Sequence, residues 1–163
     1  MSDYRRSYIS GGCWFFTVNL QNRHSDLLTR HIDNLRAALV LIKHKRPFLI
    51  NSWVVLPEHM HCIWTLPEGD TDYSGRWRDI KKTFTRTLAQ RQIWQPRFWE
   101  HAIRNDEDYR RHMDCVYINP VKHRLVGRVQ DWPYSTFHRD VRNGLYPVDW
   151  AGDIAAIDAG ERR

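Results

Sequence analysis

Two strand-like runs separated by only two residues constrain the fold of this chain more than any other feature. The runs cover 48–56 and 59–66, and Pro57-Glu58 stands between them. Both are rich in the β-branched and aromatic side chains that strands favour. Because so short a connection can join only antiparallel neighbours, the sequence predicts a tight β-hairpin in the middle of the chain.

Hydrophobic spacing predicts further elements on either side of this hairpin. The apolar run 13–20 follows a pair of glycines and predicts a buried strand. Apolar residues at three- and four-residue steps then predict a helix that opens at Ser25 or Asp26 and ends before Pro47.

The second half of the chain continues this alternation. We expect a helix over 74–92, an edge strand within 94–103, and a third helix that Asn105 caps and that Pro120 stops near Asn119. The order β-α-β-β-α-β-α favours an α+β fold, with helices packed on an antiparallel sheet.

The length of 163 residues allows one hydrophobic core of ordinary size and is too short for two domains that each have a core of that size. We therefore expect a single domain over 1–163. Within it, 1–10 is expected to form an N-terminal arm, and about 121–163 an irregular tail over the core.

The composition favours a polyanionic partner. Lys and Arg outnumber Asp and Glu by 25 to 19, and the estimated pI is about 9.5. Eight Trp, seven Tyr and six Phe provide rings that could stack on unpaired bases. Basicity alone does not name the partner, but together these features favour single strands over duplex.

Several classes of protein are disfavoured. The three cysteines, Cys13, Cys62 and Cys115, are widely spaced and include no CxxC pair, so a disulfide framework or a zinc ribbon is not expected. No apolar run approaches the roughly 20 residues that a membrane-spanning helix needs, and the N-terminus has no apolar signal segment. We expect a cytoplasmic protein without a membrane partner.

The triplet His59-Met60-His61 lies inside the second strand of the predicted hairpin. Residues i and i+2 of a strand project from one face about 6 to 7 Å apart, so both imidazoles can converge on one divalent ion while Met60 points into the core. An HxH triplet alone is more often structural than metal-binding. On the third helix, however, Cys115 and Asn119 share a face, and Asn119 can offer an amide oxygen to a hard metal.

Four stretches carry a resemblance to a known family. They are Gly11-Gly12 with Trp14-Phe15-Phe16-Thr17, Val54-Val55-Leu56-Pro57-Glu58-His59-Met60-His61, Tyr117-Ile118-Asn119-Pro120-Val121-Lys122, and Trp132-Pro133-Tyr134-Ser135. On these the chain resembles the REP-associated tyrosine transposases of the HUH single-strand endonuclease superfamily, over nearly its whole length. No one of the stretches is specific by itself.

The resemblance implies a ferredoxin-like core in which His59, His61 and Asn119 hold Mg²⁺ or Mn²⁺ against a scissile phosphate. A helix tyrosine then attacks phosphorus and leaves a 5′-phosphotyrosine link and a free 3′-hydroxyl. The implied partner is a single-stranded DNA hairpin of the REP type, and the implied location is the bacterial cytoplasm with its nucleoid. Asp149 and Trp150 are expected to fold back near the active site.

The chain departs from the family at the nucleophile, because Cys115 stands four residues before Asn119, where the tyrosine is expected. Three interpretations remain open: an inactivating change, natural or engineered; a working thiolate; or capture of adventitious Zn²⁺ by Cys115 with His59 and His61. Tyr117 is a poor substitute, since it lies about 200° around the helix from Cys115.

Basic residues along the chain are candidates for DNA contacts, although each alone could be ordinary solvated surface. The arm offers a stacking ring and two forked donors, and the second helix offers a row of cations. The full set is Tyr4, Arg5, Arg6, Lys81, Lys82, Arg86, Arg97, Lys122 and Arg124, with His123 and Arg139 as further candidates.

Two main hypotheses follow. The first is a single-strand DNA endonuclease and strand transferase that acts on REP-type hairpins as a monomer. The alternative is a non-catalytic hairpin-DNA binding protein that has lost its nucleophile. A basic α+β domain that binds RNA is a third and weaker hypothesis.

Overall fold

The computed structural model describes residues 12–153. They form, in chain order, β1 (Cys13–Asn19), α1 (Leu27–Arg30), α2 (Ile32–Lys45), β2 (Leu49–Val55), β3 (His59–Thr65), α3 (Tyr73–Leu88), β4 (Trp99–Ala102), α4 (Asp106–Lys122), a 3-10 turn (Val129–Asp131) and α5 (Phe137–Arg142).

The four strands form one sheet in the order β2-β3-β1-β4, with every neighbouring pair antiparallel. This order with helices after β1 and β3 is the ferredoxin-like arrangement, so the predicted α+β fold is confirmed. The hairpin is confirmed as well: the amide of Leu56 donates to the carbonyl of His59 at 2.8 Å across the turn.

The alternation of side chains along each strand divides the core into two layers. Phe16 and Met60 point to the layer covered by α1, α2 and α3. Phe15 and Ile63, one residue out of phase with their neighbours, point to the layer under α4 and α5. Each strand therefore presents one set of residues to each layer of helices.

Helix boundaries differ from the sequence prediction at three places. The helix predicted over 74–92 ends at Leu88. The predicted first helix is two helices, because His31 leaves the helical conformation with φ −112° and ψ 38°. The prediction that Pro120 stops the third helix is wrong, since α4 runs on to Lys122. Proline has a helical φ, and although it donates no bond to the preceding turn, the amides of His123 and Leu125 donate to the carbonyls of Asn119 and Pro120 and continue the last turn.

The segment after α4 packs along the edge of the sheet. The amide of Val55 donates to the carbonyl of Tyr134 at 2.9 Å, and Nε1 of Trp132 donates to the carbonyl of Val55 at 2.9 Å. This segment therefore covers edge strand β2, whose backbone groups would otherwise be open to another chain. It also contains α5 within the part expected to be irregular.

Among residues 12–153, no helix is both long and apolar enough to cross a membrane. Tyr4, Arg5 and Arg6 of the predicted arm, and the end of the predicted tail, lie outside the described residues.

Candidate metal site and basic cleft

His59 and His61 project together from β3 toward α4. Both are fully buried, their ring centroids lie 4.9 Å apart, and the ring planes are nearly perpendicular at 84°. Met60 between them packs in the opposite core layer, as the strand period predicts. Two imidazoles thus lie on one face of the sheet at the spacing that a shared cation requires.

Each imidazole is oriented by a second contact. Nδ1 of His61 lies 2.8 Å from the hydroxyl of Thr17, directly across the β1–β3 pair. Nδ1 of His59 lies 2.5 Å from a carboxylate oxygen of Glu58. Such contacts fix the ring orientation of metal-binding histidines, and a carboxylate raises the basicity of the imidazole. Neither Thr17 nor Glu58 was predicted in this role from the sequence.

Asn119 brings an amide oxygen to the same region. The residue is fully buried on α4, and its Nδ2 donates to the carbonyl of Cys115 at 3.4 Å. Its Oδ1 is buried and accepts no hydrogen bond from the residues that the structure describes. An unsatisfied buried acceptor costs about 1 to 3 kcal/mol, and a bound cation would remove this cost.

His123 links this end of α4 to the histidine pair. Its amide donates to the carbonyl of Asn119 at 2.9 Å, and its ring centroid lies 5.1 Å from that of His59. The donor set of two imidazoles and one amide oxygen fits Mn²⁺ well and Mg²⁺ acceptably. His123 is a fourth polar group at this site. From the sequence it was predicted only as a candidate for DNA contact.

Cys115 is fully buried and belongs to the core layer under α4. Among the described residues, the ligand atoms of Cys115, His59 and His61 do not form a group within 4.8 Å of one another. The structure therefore gives no support to zinc capture by these three side chains.

Tyr117 belongs to the core and does not face the metal site. It is 1% exposed, and its hydroxyl donates to the carboxylate of Asp140 and lies 2.9 Å from the Thr136 hydroxyl. Burial, followed by the neighbouring Asp140, raises the pKa of Tyr117. A phenol held in this way is a poor replacement for the missing nucleophile.

A basic cleft of about 1020 Å³ opens between α3 and the segment that leads to β4. Lys81 lines it, with Nζ 5.8 Å from the ring centroid of Trp94 and 5.4 Å from that of Phe98. Nζ also donates to the carbonyl of Gln95 at 3.3 Å. Burial lowers the pKa of Lys81 to about 8. The cleft thus combines cations with aromatic rings, as single-strand binding surfaces do.

Three predicted cations, Lys81, Lys82 and Arg86, line this cleft. Sequence reasoning missed Arg78 and Arg91, which line it as well. The signal was present in 90–98, where two arginines and two aromatic residues follow directly after a basic helix.

The remaining predicted cations lie elsewhere. Arg97 is exposed outside the cleft lining, while Lys122 and Arg124 lie at the C-terminal end of α4, beyond Asn119. Arg139 donates to the carbonyls of Ile50 and Asn51 at 3.1 and 2.7 Å, so it joins α5 to β2.

The tail residues predicted near the site pack beside α4. The ring of Trp150 lies 5.1 Å from that of Tyr146, and Trp150 and Asp149 line a cavity of about 660 Å³ together with Val121.

The cleft and the histidine pair approach the same end of β1. The amide of Gln95 donates to the carbonyl of Asn19 at 3.0 Å. Arg23 donates to Oδ1 of Asn19 and lies 3.5 Å from the carboxylate of Glu58, which contacts His59. A continuous polar path therefore runs from the cleft around the end of the sheet to the candidate metal site.

Known proteins are similar in sequence to this chain over nearly its full length. No protein-family model matches the chain. It is 67% identical over 162 residues to the REP-associated tyrosine transposase of Escherichia coli (strain K12), covering 99% of this chain and 98% of that protein. It is 44% identical over 167 residues to a Haemophilus influenzae relative named for the same family, covering 94% and 95% of the two chains.

A solved structure, described as a REP-associated tyrosine transposase bound to a REP hairpin, has the same fold. It matches with a TM-score of 0.91 and 67% identity, over 100% of this chain and 99% of the other. This chain belongs to the family of REP-associated tyrosine transposases.

Proposed function

We propose that this chain binds single-stranded REP-type DNA hairpins and directs one strand to a divalent metal ion held by His59, His61 and Asn119. We further propose that Cys115 makes the chain deficient in strand cleavage. The buried, unsatisfied Oδ1 of Asn119 is the observation that carries the metal assignment, because Asn119 lies one helical turn before His123, whose ring centroid is 5.1 Å from that of His59. The hairpin assignment is supported by the solved relative, which is bound to a REP hairpin.

The protein groups around the metal position have separate tasks. When bound, Mg²⁺ or Mn²⁺ would neutralise charge on the scissile phosphate and orient it for in-line attack. Thr17 and Glu58 contact the two imidazoles and would fix their orientation toward the metal ion. Asn119 would supply a neutral oxygen, so the site would not repel the phosphate as a carboxylate in its place would.

The basic cleft would hold the DNA by phosphate contacts and base stacking. Lys82 and Arg86 are exposed along α3 and can follow a phosphate backbone. Trp94 and Phe98 flank Lys81, so an unpaired base can stack where a cation also lies close. The polar path around the end of β1 would let a flanking strand reach the histidine pair.

The missing step is the nucleophilic attack. A tyrosine at 115 would present a phenol that forms a bond to phosphorus while the 3′ oxygen leaves, and so would conserve the bond energy for rejoining. Cys115 offers a shorter thiol that is buried in the core layer. Binding without cleavage is therefore the expected behaviour of this chain.

The test compares the natural chain with Cys115→Tyr on a labelled REP hairpin that carries single-stranded flanks, in Mn²⁺ and in Mg²⁺. Both proteins should bind the hairpin, and only Cys115→Tyr should yield a covalent protein–DNA adduct. Cys115→Phe is the matched control, because it has the same ring without the hydroxyl. An adduct with the natural chain would refute the cleavage deficiency, and failure of the natural chain to bind would refute the hairpin assignment.

A further inference from the structure

A second cluster of possible metal ligands lies away from the histidine pair, where β4 meets the start of α4. His101, Asp108 and His112 each present one ligand atom within 4.8 Å of the other two, and they are the sole such group within residues 12–153. Nothing in the proposed DNA chemistry uses these side chains. We propose that they form a structural site for a divalent transition metal, with Zn²⁺ as the best fit.

The geometry of the cluster centres on the carboxylate of Asp108. Nε2 of His101 lies 2.9 Å from Oδ2, and Nδ1 of His112 lies 3.1 Å from Oδ1. The two imidazole rings are stacked, with centroids 4.5 Å apart and an interplanar angle of 15°. Two imidazole nitrogens and one carboxylate oxygen make up three of the four ligands that tetrahedral Zn²⁺ takes, and water can supply the fourth.

One oxygen of this carboxylate has no hydrogen-bond donor among the described residues. Oδ1 of Asp108 is buried and unsatisfied, because Nδ1 of His112 donates to the backbone carbonyl of Asp108 at 2.8 Å instead. Asp108 is only 3% exposed, so water does not readily compensate for the missing donor. An unsatisfied buried oxygen 3.1 Å from one imidazole, in a carboxylate whose other oxygen lies 2.9 Å from a second, indicates a position for a cation.

The surroundings allow metal entry. The side chain of His101 is 25% exposed, which leaves a route from solvent. An imidazole must be neutral to bind a metal ion. On metal binding, each coordinating nitrogen must lose its proton to the other ring nitrogen or to solvent.

One neighbouring cation opposes the site. Nε of Arg104 lies 3.5 Å from Oδ2 of Asp108, but its side chain is 70% exposed and can turn into solvent. The backbone amide of Arg104 would remain, donating to Oδ2 at 3.0 Å and orienting the carboxylate. An occupied site would join edge strand β4 to the helix that carries Asn119.

The test measures Zn²⁺ binding by calorimetry in the full chain with His59→Gln and His61→Gln, which removes the other histidine pair. This background should bind one equivalent of Zn²⁺. Adding His101→Gln or Asp108→Asn should weaken binding by about tenfold or more, since even loss of an outer contact has an effect of that order. Adding His44→Gln, an exposed histidine on α2, should leave the affinity unchanged.

Thermal unfolding of the same variants separates loss of the site from loss of the fold. Zn²⁺ should raise the Tm of the His59→Gln, His61→Gln background and should not raise it after His101→Gln, while all variants unfold cooperatively without metal. No Zn²⁺ binding by the background, or equal binding after His101→Gln, would overturn the proposal. Because DNA is absent from the experiment, its outcome is independent of the hairpin-binding proposal.

Discussion

Replacing Lys81 by arginine should change the pH dependence of hairpin binding. Lys81 lies in the basic cleft between the rings of Trp94 and Phe98, and burial lowers its pKa to about 8. The charged ammonium form of Lys81 therefore predominates below about pH 8, and the neutral amine predominates above it. An arginine at the same place keeps its charge at every pH at which the protein is folded and can stack on the same rings.

The size of the effect follows from this pKa. With a value near 8, about ten in eleven Lys81 side chains carry charge at pH 7 and about one in eleven at pH 9. If the hairpin binds only the charged form, raising the pH from 7 to 9 should weaken affinity by about tenfold, or about 1.4 kcal/mol. Lys81→Arg should show little of this loss.

The measurement is fluorescence anisotropy of a labelled hairpin at constant ionic strength, from pH 7 to pH 9. Lys82→Met is the matched control: Lys82 is exposed on the same helix, so its loss should weaken binding similarly at every pH. Two results would contradict a role for the Lys81 charge in hairpin binding. One is an affinity of the natural chain that does not change from pH 7 to pH 9. The other is a Lys81→Arg variant that loses affinity as steeply as the natural chain.

Three further outcomes are expected. Tyr117→Phe should lower the free energy of unfolding in urea by about 1 to 2 kcal/mol, because the buried Asp140 carboxylate loses a donor, and should leave hairpin affinity unchanged. Arg76 lowers the pKa of Asp70 to about 2, so their ion pair stabilises the fold above about pH 4, and this stabilisation is lost as the pH falls through 2. When the free energy of unfolding is measured at decreasing pH, Asp70→Asn should lose less stability than the natural chain. Asn119→Ala should weaken Mn²⁺ binding, measured by calorimetry, and equal affinity would remove Asn119 from the ligand set.

The β-hairpin of β2 and β3, and the position of the two histidines on one face of β3, could be predicted because they depend on short-range rules. A two-residue turn allows only antiparallel strands, and a period of two places His59 and His61 on one face. The cap of α4 was predictable for the same reason: Oδ1 of Asn105 accepts from the amide of Asp108 at 2.8 Å. Each of these depends on residues close together in the chain.

Features that depend on contacts between distant segments were not predictable. Arg76 is indistinguishable in sequence from the other cations of α3, yet it is 1% exposed and donates to Asp70 and to the carbonyls of Arg46 and Pro47. The cluster around Asp108 likewise forms only when β4 reaches the first turn of α4. No spacing rule indicates which cation of a helix will be buried against the backbone carbonyls of a distant segment.

The two layers of the core place the proposed DNA-binding surface and the proposed metal site on opposite sides of the sheet. Lys81 and the cleft belong to α3, on one side of the sheet, whereas Cys115 and Asn119 lie on α4, on the other. Among the described residues, hydrogen bonds of Asn19 at the end of β1 join the two regions. We therefore expect a substitution at 115 to affect the proposed chemistry on one face of the sheet and to leave the surface that we propose for hairpin DNA unchanged.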